Sequence, residues 1–219
     1  AVVCASEGFR TFVIEAVEGL ERTMIGEPAE FDALTESSEP LPVIGTNDIS
    51  YLQYTSGSTR FPRGVIIEHR SVMSNLTGII ADGVRIGATD RLFSWLPFYH
   101  DMGLVGLVLV PVAAQISVDY MDTRDFAMRP RQWLSLMSQT KATISFSPSF
   151  GYELCARRLR EGEAERYDLS NWRVAGLGAE MSRWESLERF AAALAPPGLH
   201  PNGVLARHGR GGGTRGGDW

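Results

Sequence analysis

From residue 49 onward, short runs rich in β-branched and aromatic residues alternate with stretches of helically spaced apolar residues. That alternation restricts the fold more than any other feature of the chain. "ISYLQY" (49–54) predicts a strand and "GVIIEH" (64–69) its hairpin partner. Val72, Met73, Leu76, Ile79 and Ile80 recur at helical spacing and predict an amphipathic helix over 70–82. Strands follow at 91–97, 115–121, 142–148 and 172–178. They are separated by a mostly buried helix at 101–113, one at 130–139 carrying Trp133, Leu134 and Met137 on one face, and one at 150–160. A last helix over 183–194 places Trp184, Leu187, Phe190 and Leu194 inward. Strands joined by helices of this length require βαβ crossovers, so the fold class is α/β with a largely parallel sheet.

Bulk properties narrow the function. Apolar residues make up 44% and charged residues 21% of the 219, ordinary values for a soluble globular protein. A net charge of −5 provides no global basic field, so nucleic acid is not an expected partner. The longest apolar run, Met102 to Ala114, is interrupted by Gly106 and Pro111 and is too short for a transmembrane segment. No basic stretch leading into an apolar core opens the chain, so no signal peptide is expected. Cys4 and Cys155 have no metal-ligand spacing and read as reduced core thiols of a cytoplasmic protein. No metal site is expected from the residues themselves.

The segment from Pro196 onward departs from this pattern. "PPGLHPNGVLARHGRGGGTRGGDW" is rich in Gly and Arg and lacks apolar periodicity, so it is expected to supply no core element and to be disordered. Residues 1–200 then form part of one large domain, and 201–219 a Gly/Arg-rich tail, natural or read out of frame.

"YLQYTSGSTRFPRGVIIEH" (51–69) carries the first chemical signal. Thr55, Ser56, Gly57, Ser58 and Thr59 stand together between two strands. A polyphosphate needs several donors converging on one anion, and loop N–H groups with short hydroxyl side chains provide them without bulk. Gly57 allows a positive φ and close backbone approach. Pro62 stiffens the return. Arg60 and Arg63 add bidentate phosphate grips. A Walker A loop is excluded, because Gly57 and Gly64 are seven apart and a strand follows, not a helix. A flexible linker is the alternative.

"SWLPFYHDMGLVG" (94–106) is the second signal. His100 and Asp101 stand where a strand gives way to a helix, whose free N–H groups suit a carboxylate or acyl phosphate. A packed or capping histidine is the plainer reading. No second ligand cluster and no G-x-S-x-G elbow accompany the pair. Asp101 is expected to be the helix N-cap.

"YTSGSTRFPRG" resembles the phosphate loop Y-T-S-G-S/T-T-G-x-P-K-G of the adenylate-forming superfamily, which includes acyl-CoA synthetases, adenylation domains and luciferases. Arg60 stands for the usual Gly and Arg63 for the usual Lys, and arginine after Ser-Thr is most similar to the fatty acyl-AMP ligase branch. "LPFYHDMGL" resembles that branch's L-P-x-x-H-D-M-G-L, and "GLGAEMS" (176–182) its G-A-E adenine turn. The resemblance covers roughly residues 45 to 200.

The resemblance implies part of the large N-terminal AMP-binding domain of a fatty acyl-AMP ligase or acyl-CoA synthetase. ATP with Mg2+ would be the cofactor set, a fatty acid the substrate, and acyl carrier protein or CoA the acceptor in the complete enzyme. It implies that Thr55, Ser56, Gly57, Ser58, Thr59 and Arg63 hold phosphate, and that Gly178, Ala179 and Glu180 border adenine. His100 would lie beside the carboxylate and α-phosphate. Phe150 and Tyr152, in "FSPSFGYELCARR" (146–158), would line the acyl pocket, with core aromatics as the alternative. The family's next motif, an aromatic-Gly-x-Ala/Thr-Glu turn, is expected soon after Leu199, where "VLARHGRGGG" stands instead. The chain is therefore expected to be a truncated fragment, inactive alone. Two further readings are a non-catalytic, partner-binding module and an adenylation domain acting on an aryl or amino acid.

Overall fold

The computed structural model describes residues 2–4, 13–14, 24–36, 38–55, 63–178, 184–194 and 204–206. They fall into two units, 1–44 and 45–219. In the first, β1 (Val2–Cys4) pairs in parallel with β2 (Met24–Gly26). A short helix, α1 (Pro28–Asp32), follows. Pro28 opens it, where no helical N–H is needed, and the Glu30 carboxylate accepts the Glu27 N–H at 2.7 Å.

The second unit opens with the expected hairpin. β3 (Ile49–Thr55) and β4 (Arg63–Glu68) run antiparallel, with Leu52 opposite Ile66 and Thr55 opposite Arg63. Helix α2 (His69–Thr77) continues as a π-helical stretch, Gly78–Gly83. β5 (Arg91–Ser94) leads to a rod in three parts: α3 (Asp101–Leu104), a second π-helical stretch (Val105–Leu109) and α4 (Val110–Ala114). Pro111 lies in the first turn of α4, where its missing N–H is least costly and the wide π turn precedes it.

β6 (Ser117–Tyr120), α5 (Thr123–Met128), α6 (Arg131–Thr140), β7 (Ile144–Ser147), α7 (Ser149–Arg158), β8 (Val174–Leu177) and α8 (Trp184–Ala193) complete the alternation. The sheet order is β6-β5-β7-β8-β9, the last strand being Val204–Ala206, and every pairing is parallel. The α/β class and the largely parallel sheet expected from the sequence are thus present. Among the described residues no helix is long and apolar enough to cross a membrane.

Two expectations are corrected. The strands are shorter than their apolar runs. The run 91–97 leaves the sheet at Ser94, because the Leu96 N–H turns to the Ser94 hydroxyl (3.1 Å) and the Trp95 carbonyl accepts the Thr123 hydroxyl (2.8 Å). Secondly, the segment beyond Pro196 does supply an element. Val204–Ala206 forms β9, paired with Ala175–Leu177 of β8. Three consecutive small and apolar residues are enough for an edge strand, though too few to register as periodicity. Residues 195–203 and 207–219 lie outside the described residues.

Side chains alternate across the sheet. Ser145 and Ser147 face one way, Ile144 and Phe146 the other. On the serine side an aromatic core forms around Trp133, which is fully buried and lies 5.2 Å from Trp172, 5.4 Å from Tyr152 and 5.8 Å from Phe126 between ring centres. Its indole N–H donates to the Ser145 hydroxyl at 3.2 Å, which donates on to the Phe93 carbonyl at 2.8 Å. Ser145 can therefore sit at the centre of the sheet without an unmet polar group. Cys155 is buried in this layer, its thiol 3.2 Å from the Pro130 carbonyl. The Cys4 side chain is outside the described residues.

Candidate functional site

The opposite side of the sheet is only partly filled, although Leu92 and Ile144 are buried there. Between it and the rod 101–114 lies a pocket of about 300 Å³. Leu92, Ile144 and Phe146 form its sheet wall. Ile79 and Val84, on and just after the first π-helical stretch, form the second wall; Met102, Val105, Gly106 and Val110 form the third. Both π-helical stretches thus border the same space. An inserted residue widens a helix locally, a feature found often at functional sites. Two exposed polar residues, Asn75 and Asp101, stand at the mouth, and buried Gly178 joins them from the end of β8.

Gly176, two residues before Gly178, lies opposite Phe146 in the strand register. A Cβ at 176 would run into the Phe146 ring, so only glycine lets that ring lie flat along the wall. The Gly176 carbonyl accepts the Tyr152 hydroxyl at 2.7 Å.

The rod begins at His100. His100, not Asp101, occupies the N-cap position, with Asp101 opening the first turn. This corrects the expectation for Asp101. Imidazole Nδ1 has the extended N-cap backbone placing it 3.2 Å from the Met102 N–H, while Asp101 Oδ1 accepts the same N–H at 2.7 Å. Nδ1 and Oδ1 are 2.8 Å apart. Neutral imidazole accepts at Nδ1; imidazolium donates from Nδ1 to Asp101. In both states Nε2 carries a proton and remains a donor. His100 is about half exposed, so that donor is within reach of a ligand. Gly103 makes this start possible, since any Cβ there would collide with the Pro97 carbonyl.

The hairpin stands close to the rod's start. Burial first, and the negative charge of Asp101 second, push the Tyr51 phenol above its ordinary value. Thr55 and Arg63 face each other as the closing backbone pair of the hairpin, so the chain between them must form a loop. The loop residues Ser56, Gly57, Ser58 and Thr59 lie outside the described residues, as do Ala179 and Glu180.

The described members of the expected site divide. His100 stands at the start of the rod whose first residues border the mouth, and Gly178 on the pocket wall. Tyr152 has no exposed surface and belongs to the aromatic core. Phe150 is 52% exposed and packs edge-on to Trp95 at 5.9 Å, within the cluster on the serine side. Neither lines the pocket. The residues that do line it, in the rod and the first π-helical stretch, were missed by the motif reading. Their signals were the apolar run 102–114 and the helical spacing of Ile79, and both read equally as buried helix.

A family model described as AMP-binding enzyme matches residues 9–201. A protein of Caulobacter vibrioides named as an acyl-CoA synthetase is 46% identical over 178 residues, covering 81% of this chain and 31% of that protein. A medium-chain-fatty-acid–[acyl-carrier-protein] ligase of Teredinibacter turnerae is 38% identical over 168 residues, covering 77% of this chain and 26% of the ligase. A solved structure from work on the fatty acyl-adenylate ligases of E. coli and L. pneumophila superposes with a TM-score of 0.86 at 49% identity, covering 94% of this chain and 38% of that one. The chain therefore spans about a third or less of the curated relatives it matches.

Proposed function

The chain belongs to the AMP-binding enzyme family, and from that membership we propose that it forms part of the adenylating domain of a fatty acid–AMP ligase. The observation that carries the fatty-acid reading is the apolar pocket, whose polar mouth lies beside the helix start at His100. Its lower walls are hydrocarbon, and its polar side chains, Asn75 and Asp101, are confined to the exposed end. A carboxylic acid with an unbranched tail matches that division.

The reaction is attack of the carboxylate oxygen on the α-phosphorus of ATP. The bond to the leaving pyrophosphate breaks, and its electron pair departs with pyrophosphate. The thiol of acyl carrier protein or CoA then attacks the acyl carbon, the acyl–phosphate bond breaks, and AMP leaves with its electron pair. In this reading His100 Nε2–H donates to the carboxylate or the α-phosphate oxygens, with its ring fixed by the N-cap geometry. The hairpin loop, Thr55 to Thr59 with Arg63, holds the phosphates, and Gly178, Ala179 and Glu180 border adenine. Among the described residues no group of three His, Cys, Asp or Glu side chains could hold a metal ion. Mg2+, bound with ATP, would supply neutralisation of the phosphate charge. A cytoplasmic setting, where ATP and a carrier are both supplied, is part of this reading.

The test is ATP–pyrophosphate exchange by the complete protein with fatty acids, a 4-hydroxyphenyl-substituted acid and amino acids. Fatty acids should support exchange, and His100→Ala should lower it by about 10²-fold or more, the usual loss for one transition-state donor. Exchange with only aryl or amino acids would replace this reading with the aryl or amino-acid one. ATP binding without exchange on any acid would mark a non-catalytic module. The 219-residue chain alone, a third or less of its relatives' length, should give no exchange.

A further inference from the structure

We infer that Tyr120 is a positioning residue for His100: its side chain closes a circuit of contacts that fixes where the rod begins, and so where the imidazole points. The inference rests on the reading that His100 donates to the reacting carboxylate or phosphate.

Tyr120 ends β6, the edge strand of the sheet, and its backbone stands in register with Ser94 of β5. The Met121 N–H donates to the Ser94 carbonyl at 2.9 Å and closes that end of the pairing. Ser94 is also where β5 leaves the sheet for the turn that ends at His100. The Tyr120 hydroxyl crosses to the rod and donates to the carbonyl of the fully buried Leu107 at 2.7 Å. The circuit therefore runs from Ser94 through the turn to His100, along the rod to Leu107, and back through the Tyr120 side chain to Ser94.

The parts between these joints are themselves held. The Trp95 carbonyl accepts the Thr123 hydroxyl at 2.8 Å. The His100 N–H donates to the Pro97 carbonyl at 3.3 Å, and the His100 carbonyl accepts the Leu104 N–H at 2.8 Å. The Tyr120 ring packs edge-on against Phe98, two residues before His100, with ring centres 5.0 Å apart. One side chain thus touches both segments that meet at His100, the turn before it and the rod after it. Leu107 lies in the second π-helical stretch, and a side chain inserted at the carbonyl ladder is an identified cause of helix distortion.

Core packing does not account for a tyrosine here as it does for Tyr152, because Tyr120 is 45% exposed. Its distinguishing group is the hydroxyl that the rod holds. Desolvation raises this phenol above its ordinary value, so it remains a donor at neutral pH. A misplacement of about 1 Å in a reacting group can cost about 10²-fold in rate, which is the route by which a residue outside the chemistry governs it.

The experiment is a double-mutant cycle in ATP–pyrophosphate exchange by the complete protein with a fatty acid. Tyr120→Phe keeps the aromatic ring against Phe98 and removes the bond to Leu107. It should lower kcat about tenfold, with KM for the acid and for ATP within about twofold of wild type. In a His100→Ala background the same change should cost less than about twofold, because no imidazole is left to position. A merely structural role would lower both backgrounds alike. Phe98→Leu, which removes the edge-on contact instead, should follow the same pattern, and should either variant fail to fold the other tests the same circuit. Equal losses in the two backgrounds, or a wild-type kcat in both variants, overturn the proposal and leave the fatty-acid reading intact. Where only aryl or amino acids support exchange, the same cycle is run with that acid. Exchange with no acid, or exchange unchanged by His100→Ala, overturns the role of His100 and this inference together.

Discussion

Replacing Asp90 by Asn keeps the shape of the side chain and removes its charge, a perturbation whose cost is readable from the structure. Four donors converge on the Asp90 carboxylate at 2.5–2.8 Å, two of them from Arg173, and its side chain is only 7% exposed. An Asn amide cannot accept all four, because each carboxylate oxygen takes two of them and the NH2 would oppose the pair at its position. Breaking a buried pair costs about 3–5 kcal/mol. Arg173 is 39% exposed and recovers some hydration, which favours the lower end, about 3 kcal/mol. At a slope near 3 kcal/mol per molar, that lowers the urea midpoint by about 1 M. The pH dependence is a second reading. Burial alone would raise the Asp90 pKa, but the Arg173, Gly87 and Thr143 donors overcome it and hold the carboxyl below its ordinary value. A carboxyl depressed on folding stabilises above its unfolded value, about 3.9, and loses that contribution as pH falls through the folded value. The advantage of wild type over D90N should be flat from pH 8 to about 5 and shrink below about 4. Other depressed acids, such as Glu163 and Asp168, are present in both proteins and cancel. A difference under 1 kcal/mol at pH 7, or one unchanged between pH 5 and 3, would refute this account of the Asp90–Arg173 pair.

Tyr152→Phe leaves the Gly176 carbonyl without its buried donor and should cost about 1–2 kcal/mol in urea unfolding. Burial holds the Tyr152 phenol well above its ordinary value, so it contributes stability that is lost as pH rises past the unfolded value near 10. The variant's stability should therefore decline less steeply between pH 9 and 11. Gly103→Ala should push the rod away from the Pro97 carbonyl, cost about 1–3 kcal/mol in unfolding, and lower exchange in the complete protein by displacing His100. The Cys155 thiol, buried and with its pKa raised by that burial, should resist a thiol reagent in the folded chain and react at once in urea.

Local patterns were legible because local physics makes them. The Asn/Gly-free apolar run 49–54, the hydroxyl loop and the second β run specified the hairpin, and Trp133, Leu134 and Met137 are all fully buried on one helix face, as their spacing implies. The six-residue helix α5 escaped notice because it is too short to show a period. The π-helical stretches were also hidden: the extra residue in each turn answers to what packs outside the helix, and composition does not record it. Tyr152 and Phe150 illustrate the same limit. Two positions apart on one helix, one is fully buried and the other half exposed, and only the neighbouring layer decides which. The Arg173–Asp90 pair is the furthest from sequence reach, since its members are 83 positions apart.

The strand order also governs how the chain must be made. Leu92 and Phe93, each 1% exposed in the finished sheet, sit on a strand whose inner neighbour arrives 52 residues later. At ribosomal speeds of about 5–20 residues per second, that is roughly three to ten seconds of waiting. The hairpin closes on itself well before then, while β5 leaves the exit tunnel with one flank unpaired. Substitutions that slow the arrival of β7 would thus reduce the yield of nascent chains without changing the product that survives.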